Sequence, residues 1–337
     1  MTGRVSLKKI AGSFNNGVQI AFLMLGLVLN FMTTTKFFSS AIRTCRYGVM
    51  LGSLMFAANA FAGTAPLITS QPLSQTVSAG SNATFSVAAS TGTTLSYQWY
   101  FNNVLISGAT GSSYTLTAKF SNAGLYFVSV KNAFGTVNSA TATLNVKPPT
   151  GATLAAPWVS ADIGNVGLIG SAYSISNNYT VNGSGASLVG AAADQFHYIY
   201  QTMPGNGSIA ARVTNQSGTN VNGYAGVMIR ETTATGSRYV FAAREGNGPV
   251  VVRSRPSTGG ATTSTNVPNA TLASCWVQLV RTGTNIAALT SINGSVWTPI
   301  QTNAVAMATN VIFGLFATSG NTNVLDSDVF TNVTVVP

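Results

Sequence analysis

The sequence has few of the residues on which catalysis and electrostatic recognition depend. Only 7% of its 337 residues are charged, against about 25% in an average soluble domain. Its six acidic residues do not show the closely spaced carboxylates of glycosidase strands, and its single histidine, His197, has no recognisable nucleophile or acid partner in the sequence. These absences predict a non-enzymatic protein that needs no cofactor.

Cysteine is also nearly absent. The only two cysteines are Cys45 and Cys275, and Cys45 lies in an N-terminal segment that we expect to be removed. One remaining cysteine cannot form an internal disulfide. Because Cys275 precedes Trp276 in an apolar stretch, we expect a buried, unreactive thiol, and an intermolecular bridge is the alternative.

The net charge of +10 is concentrated at the N-terminus. Residues 1–62 hold six basic and no acidic residues, and the remainder holds ten basic and six acidic ones, which divides the charge into +6 and +4. No run of Lys and Arg interleaved with aromatic residues follows residue 62. The pattern therefore predicts no binding of nucleic acid.

Residues 1–62 have the pattern of a helical secretory signal. A basic region is followed by the apolar stretch 49–62, which ends in Ala60-Phe61-Ala62, and this order is typical of export and of cleavage after a small residue. We expect cleavage after Ala62, with Met32 as a possible true start. A retained anchor at 18–32 is the alternative, but about fifteen residues are few for a membrane span of about twenty. The expected location is therefore secreted or cell-surface, with no membrane contact once the signal is removed.

Residues 67–147 read as a small β-sandwich. Short alternating strands are predicted at 83–87, 95–100, 113–117, 124–130 and 140–146. Trp99 matches the core tryptophan of immunoglobulin-like domains, Tyr126 matches their tyrosine corner, and Val87 and Val128 stand where antibody domains carry cysteines. The region resembles the cysteine-free immunoglobulin-like domains of bacterial surface and secreted proteins, which implies that all four residues belong to its core.

A second all-β domain is predicted at 158–337, after a proline-rich linker at 148–157. Its apolar and polar residues alternate over many strands, and Asn293-Gly294 is a strong hairpin signal. Period-two patterning over so many strands predicts two antiparallel sheets packed face to face.

Several motifs of this second domain occur in a recognisable order. They are PWVSADIG (157–164), DQFHYIY (194–200), IAARV (209–213), AGVMIRE (225–231), WVQLVRTG (276–283), GSVWT (294–298) and GLFATS (314–319). The domain resembles a family of concanavalin-like, jelly-roll domains of unsettled function from bacterial secreted and surface proteins. We expect Trp276 and Trp297 to be framework residues in its core.

Candidate ligand-binding residues are basic or aromatic. Five arginines on different strands would bind an anionic polysaccharide if they shared one sheet face, and ion pairing within the fold is the alternative. Tyr198 and Tyr200 would stack on sugars if they pointed outward, although alternation favours the core for both. The five arginines are Arg212, Arg230, Arg244, Arg255 and Arg281.

A metal site is a weaker prediction. Asp326 and Asp328 lie two residues apart on a predicted strand, so both point to one side and offer hard oxygen ligands for calcium. Pairing with arginine is the simpler interpretation.

The sequence as a whole predicts a secreted protein that binds carbohydrate or another surface component through its second domain, with the immunoglobulin-like domain as a spacer. Its expected partner is a polysaccharide or a surface protein. A purely structural or adhesive protein-interaction chain is the first alternative. A glycoside hydrolase of unrecognised type is the second.

Overall fold

The computed structural model describes residues 63–337 except 187, 189–192, 218–219, 247 and 268–274. The helical signal segment and the cleavage site expected within 1–62 lie outside the described residues. One 3-10 turn, Phe120–Asn122, is the single helical element of the described part, and twenty-four strands account for the rest of its regular structure. The all-β prediction is therefore confirmed. No helix in this part of the chain has the length and apolar character needed to span a membrane.

Ten strands form the first domain. The largest sheet has the order β2-β10-β8-β5-β6, with β9 paired to β8, and the pairs β1-β4 and β3-β7 complete the sandwich. Only β2 and β10 pair in parallel. The strands are β1 (Leu67–Ser70), β2 (Gln75–Ser78), β3 (Asn82–Ser86), β4 (Ala88–Ser90), β5 (Ser96–Phe101), β6 (Val104–Leu105), β7 (Ser113–Thr117), β8 (Gly124–Asn132), β9 (Gly135–Asn138) and β10 (Ala142–Lys147).

The core of the first domain contains the residues that the sequence places there. Trp99 and Val128 are fully buried, and Val87 and Tyr126 nearly so. The Tyr126 hydroxyl donates a 2.7 Å hydrogen bond to the carbonyl oxygen of Asn122, which is the bond of a tyrosine corner. Burial raises the pKa of Tyr126, so the hydroxyl stays protonated and able to donate.

Fourteen strands form two seven-stranded sheets in the second domain. Sheet I has the order β11-β14-β23-β16-β17-β18-β19, and sheet II has the order β12-β13-β24-β15-β20-β21-β22. The strands are β11 (Val159–Ile163), β12 (Ser171–Ile175), β13 (Asn178–Gly185), β14 (Phe196–Pro204), β15 (Gly207–Gln216), β16 (Tyr224–Arg230), β17 (Tyr239–Glu245), β18 (Val250–Arg255), β19 (Thr263–Asn266), β20 (Cys275–Thr282), β21 (Asn285–Ser291), β22 (Thr298–Ala304), β23 (Asn310–Thr318) and β24 (Asn321–Val336).

The main core of the second domain lies between the two sheets. Alternate residues of sheet I, such as Val227 and Leu315, pack against alternate residues of sheet II, such as Val277 and Leu279. A second cluster covers the opposite face of sheet I and includes Tyr198, Phe241 and Phe316. Both faces of sheet I are therefore buried, which explains why β16 reads as a continuous apolar run instead of an alternating one.

Apolar residues join the two domains. Leu168 and Leu325 of the second domain are buried within the core cluster of the first, and Tyr173 packs against the same cluster. The ring of Tyr173 stacks on that of Phe120 with 6.3 Å between centroids. The Asn102 side chain adds a 2.9 Å hydrogen bond to the carbonyl oxygen of Asn323. The domains therefore share a packed interface in addition to the linker, whose one element of pairing is an isolated bridge from Thr153 to Ser174.

Replacing Leu325 by alanine should weaken both the first domain and its attachment to the second. Leu325 is only 3% exposed, and removing a buried leucine costs about 2–5 kcal/mol because a cavity remains. We expect urea unfolding, followed by tryptophan fluorescence and circular dichroism, to change from one coupled transition to two. The control is Val324→Ala, at a neighbouring residue that is 36% exposed, and an equal effect of both variants would contradict the assignment.

Candidate functional site

The outer face of sheet II carries two half-buried indole side chains. Trp276 on β20 lies directly opposite Arg212 on β15, and the neighbours Cys275 and Val277 point into the core between the sheets. Alternation along the strands therefore aims Trp276 and Arg212 outward. The Trp297 ring meets that of Trp276 edge to face, with 6.3 Å between centroids. We call Arg212, Trp276 and Trp297 the indole surface.

A tight turn positions the indole surface. The Asn293 side chain accepts hydrogen bonds from the backbone N–H groups of Ser295 and Val296, at 2.9 and 3.0 Å. Gly294 has a φ of 74°, and a β-carbon there would lie 2.6 Å from the ring of Trp276. Only glycine therefore lets this turn close over the indole.

The structure corrects the expected place of both tryptophans. Trp276 and Trp297 are half-buried on the outer face of sheet II and not in the core. Beside them, Ile292 and Val296 are 80% and 68% exposed. The sequence motifs correctly predicted the strand of Trp276 and the hairpin before Trp297. The pattern alone did not identify which face of the sheet the two side chains occupy.

The structure does not bring the five arginines onto one exposed face, which supports the alternative that most of them belong to the fold. Arg230, Arg244, Arg255 and Arg281 are all at least nine-tenths buried, and only Arg212 reaches the surface. The Arg281 guanidinium donates to five backbone carbonyl groups. Arg230, Arg255 and Arg281 bind groups of their own protein, and none of the four buried side chains presents a face to an anionic polysaccharide.

Asp194 is the centre of the largest buried ionic cluster among the described residues. Both Arg255 Nη atoms donate to its carboxylate at 2.7 and 2.8 Å, and Arg230 Nη1 lies 2.7 Å from Oδ2. All three side chains are fully buried. Arg230 also donates to the carbonyl oxygens of Thr232 and Ala234. Because Arg230 binds both the loop after β16 and Asp194 just before β14, the cluster connects these two segments.

The tyrosines proposed for sugar stacking belong to the cluster on the outer face of sheet I. Tyr198 is fully buried and donates a 2.9 Å hydrogen bond to the carbonyl oxygen of Met228. Burial raises its pKa well above the ordinary tyrosine value. The ring of Tyr200 stacks on Tyr198 at 5.2 Å and is half-buried. Tyr198 is therefore buried, as alternation favours, and leaves no ring face for a sugar, although it lies in the outer cluster of sheet I and not between the sheets.

Asp326 and Asp328 are buried beside each other on β24. One carboxylate oxygen of each has no hydrogen-bond partner among the described residues. Burial raises the pKa of Asp326 to about 6 and that of Asp328 well above its usual range, an effect to which the charge of Asp326 adds and which that of Arg244 opposes. Within the described ranges, no three side chains of the His, Cys, Asp and Glu types come together in a way that would hold a metal ion.

His197 lies in a chain of hydrogen bonds that the sequence did not reveal. Its Nδ1 is 2.7 Å from Asp162 Oδ1, and its Nε2 is 2.8 Å from Ser160 Oγ. Asp162 pairs directly with His197 across β11 and β14, and Ser160 lies two residues away on the same side of β11. The expectation that His197 lacks such partners is therefore corrected. The signal was the S-x-D spacing of residues 160–162, which becomes informative only when strand pairing is known.

Comparisons with known proteins identify the first domain. Residues 67–148 match the family model described as the PKD domain, so this immunoglobulin-like region is a PKD domain. It has no cysteine, but the chain as a whole does, since Cys275 is buried in the second domain. The sequence matches no curated protein. The PKD match leaves the second domain to be interpreted from its own residues.

Solved structures similar to this chain include a functionally unknown protein from Saccharomyces cerevisiae, 13% identical over 55% of this chain and 99% of its own, with a TM-score of 0.44. Titin domain M4 is 26% identical over 26% of this chain and 99% of its own, with a TM-score of 0.23. Titin domain M7 is 25% identical over 26% of this chain and 97% of its own, also with a TM-score of 0.23.

Replacing Asp194 by asparagine should destabilise the second domain strongly. The change leaves the charges of Arg230 and Arg255 buried without a counter-ion, which costs about 3–5 kcal/mol. Chemical denaturation measures the loss. Glu245→Gln is the control, because its carboxylate is 18% exposed and pairs with one arginine, so its loss should cost less. A loss for Asp194→Asn no greater than for the control would contradict the assignment.

Asp326 should make stability depend on pH. Because its folded pKa of about 6 lies above its ordinary value of 3.8, the folded state keeps a proton that the unfolded state releases between these values. The free energy of unfolding should therefore fall as the pH rises from 4 to 7, by roughly 2–3 kcal/mol from this group.

Denaturation of Asp326→Asn over the same pH range tests this contribution. The variant should lose that part of the pH dependence and be more stable than the wild type at pH 7. Glu231→Gln, at a partly exposed carboxylate, should keep it. If the free energy of unfolding of Asp326→Asn changes with pH as much as that of the wild type, the prediction is wrong.

Proposed function

We propose that the protein is an exported adhesive protein that binds carbohydrate through the indole surface of its second domain. The PKD domain supports an adhesive or structural role for the chain. Two facing seven-stranded sheets are the architecture expected of a concanavalin-like domain, as the sequence resemblance implies. Reversible binding, and not catalysis, is the proposed role of the indole surface, since none of its three residues is a nucleophile or a general base.

The pair of half-exposed indoles is the observation that carries this proposal. Sugar rings present flat C–H faces that pack on aromatic rings, and an indole offers the largest such surface among the side chains. Trp276 is fixed by its strand and by the turn at Gly294, and Trp297 is fixed against it. A surface held in this way loses little side-chain freedom when a ligand binds.

Arg212 gives the indole surface a positive charge. It lies opposite Trp276 on the neighbouring strand, and a guanidinium group recognises carboxylate and sulfate groups through planar, charge-assisted hydrogen bonds. Acidic polysaccharides therefore fit the surface better than neutral ones. Because Arg212 is only partly buried, salt screens its charge, and binding should weaken as the salt concentration rises.

A purely structural role is the second candidate. The buried contacts of Leu168 and Leu325 with the PKD core make the two domains one stiff unit, which suits a spacer. In that case the chain would hold other parts of a surface assembly at a fixed distance and bind no free glycan.

Replacing Trp297 by alanine should lower the affinity for an acidic polysaccharide about tenfold, because it removes the ring on which the sugar packs. A glycan array of the purified full chain identifies the ligand, and titration calorimetry at two salt concentrations measures its affinity. The matched control is Phe134→Ala, at an aromatic residue of the PKD domain that is 40% exposed. Calcium and a chelator are compared in parallel.

The contribution of charge to polysaccharide binding is tested with Arg212→Gln. Its control is Lys131→Gln, which removes an exposed positive charge from the PKD domain. Only Arg212→Gln should reduce the dependence of the affinity on salt concentration. Folded wild-type protein that binds no glycan on the array would favour the structural role. Binding that survives both Trp297→Ala and Trp276→Ala would place the ligand elsewhere on the molecule.

A further inference from the structure

The tautomer of His197 follows from its neighbours. The backbone N–H of Gly170 lies 3.2 and 3.1 Å from the two carboxylate oxygens of Asp162 and donates to both, as expected for an ionised carboxylate that acts only as an acceptor. The hydrogen between Asp162 Oδ1 and His197 Nδ1 must then belong to the imidazole. In neutral His197 this leaves Nε2 as an acceptor for the hydroxyl hydrogen of Ser160.

The support of this arrangement is rigid. His197 is only 3% exposed and lies on β14 between β11 and β23. Gly170 packs directly against the pair, since a β-carbon there would lie 2.3 Å from His197 Nδ1 and 2.6 Å from Asp162 Oδ1. Ser160, in contrast, is exposed to solvent on the outermost strand of sheet I. A fixed base with an orienting carboxylate and an accessible hydroxyl is the arrangement that activates a serine.

We propose that Ser160 is an activated nucleophile that accepts acyl groups from carboxylic esters. This activity is separate from the proposed glycan binding, which uses other strands and no residue of this group. Ser160 Oγ attacks the ester carbonyl carbon while its proton passes to His197 Nε2. The tetrahedral adduct then expels the alkoxide, which takes that proton from His197 and leaves as the alcohol. Ser160 is left acylated, and water that attacks the acyl carbon with His197 as base restores the serine and releases the carboxylic acid.

Ser160 is exposed on the outermost strand of sheet I, so an ester reaches it directly from solvent. Asp162 acts through His197 and is a positioning residue.

Labelling of the purified full-length wild-type protein with a fluorophosphonate, followed by peptide mass mapping, tests the nucleophile directly. Ser160 should react at least ten times faster than Ser86, a serine that is also exposed on a strand. In Ser160→Ala, the rate of p-nitrophenyl acetate hydrolysis should fall to the background rate measured in buffer with free histidine. In Ser86→Ala, it should stay at the wild-type rate. Equal labelling of Ser160 and Ser86 in the wild type would overturn the proposal without reference to any variant.

The orienting role of Asp162 has an independent spectroscopic test. The chain contains one histidine, so an imidazole ¹⁵N spectrum of the full chain reports His197 alone. The wild type should show a protonated Nδ1 and an unprotonated Nε2. Asp162→Asn and Gly170→Ala should each disturb this state and lower the labelling rate of Ser160 at least tenfold. A protonated Nε2 in the neutral wild-type protein would mean that His197 donates to Ser160, and this would overturn the proposal.

Discussion

The second domain depends on the buried charges that meet at Asp194. A sheet with two buried faces requires that loops close over its outer face, and loops carry polar backbone groups that need partners. Arg230 satisfies the carbonyl oxygens of the loop after β16, and Arg255 satisfies that of Gly260 in the loop after β18. Asp194 forms an ion pair with both cations at once. One carboxylate therefore allows two loops to pack against the aromatic cluster of sheet I.

This use of charge explains how a chain with so few charged residues tolerates five buried arginines. Each guanidinium has five N–H groups, and Arg230, Arg255 and Arg281 use theirs to bind backbone carbonyl oxygens of turns and loops. Arg281 does so with five carbonyl oxygens near the turns at Gly205 and Gly283. The surface is left with little charge, so the positive charge of Arg212 at the indole surface acts against a largely neutral background.

The fold could be predicted from the sequence to within a few residues, but the candidate sites could not. Alternation and turn residues located the strands well: the segment predicted at 113–117 is β7, and the one predicted at 83–87 lies one residue from β3. The resemblance to immunoglobulin-like domains placed Tyr126 at a tyrosine corner, and the structure shows the hydrogen bond of that motif. Strand residues alternate between the two faces of a sheet, however, and in sheet I both faces are buried and apolar. The pattern therefore could not show which of the two faces Arg230 or Tyr198 occupies. Trp276 was misplaced because a large aromatic residue was taken as evidence of burial.

The contact between Ser160, Asp162 and His197 was out of reach for a different reason. It depends on which strand lies beside β11, and β14 begins more than thirty residues further along the chain. Strand pairing at that separation is set by the whole sandwich and not by local residues. The same reasoning explains the interface with the PKD domain, where Leu325 belongs by sequence to one domain and by packing to the other.

The length of β24 has a mechanical consequence. This strand runs for sixteen residues, from the junction with the PKD domain across sheet II, and it is hydrogen-bonded to β13 on one side and to β15 on the other. A force applied along β24 acts in shear on its hydrogen bonds to both neighbours, so many of these bonds must break together and not one after another. Such a strand resists mechanical unfolding, which suits a protein under tension.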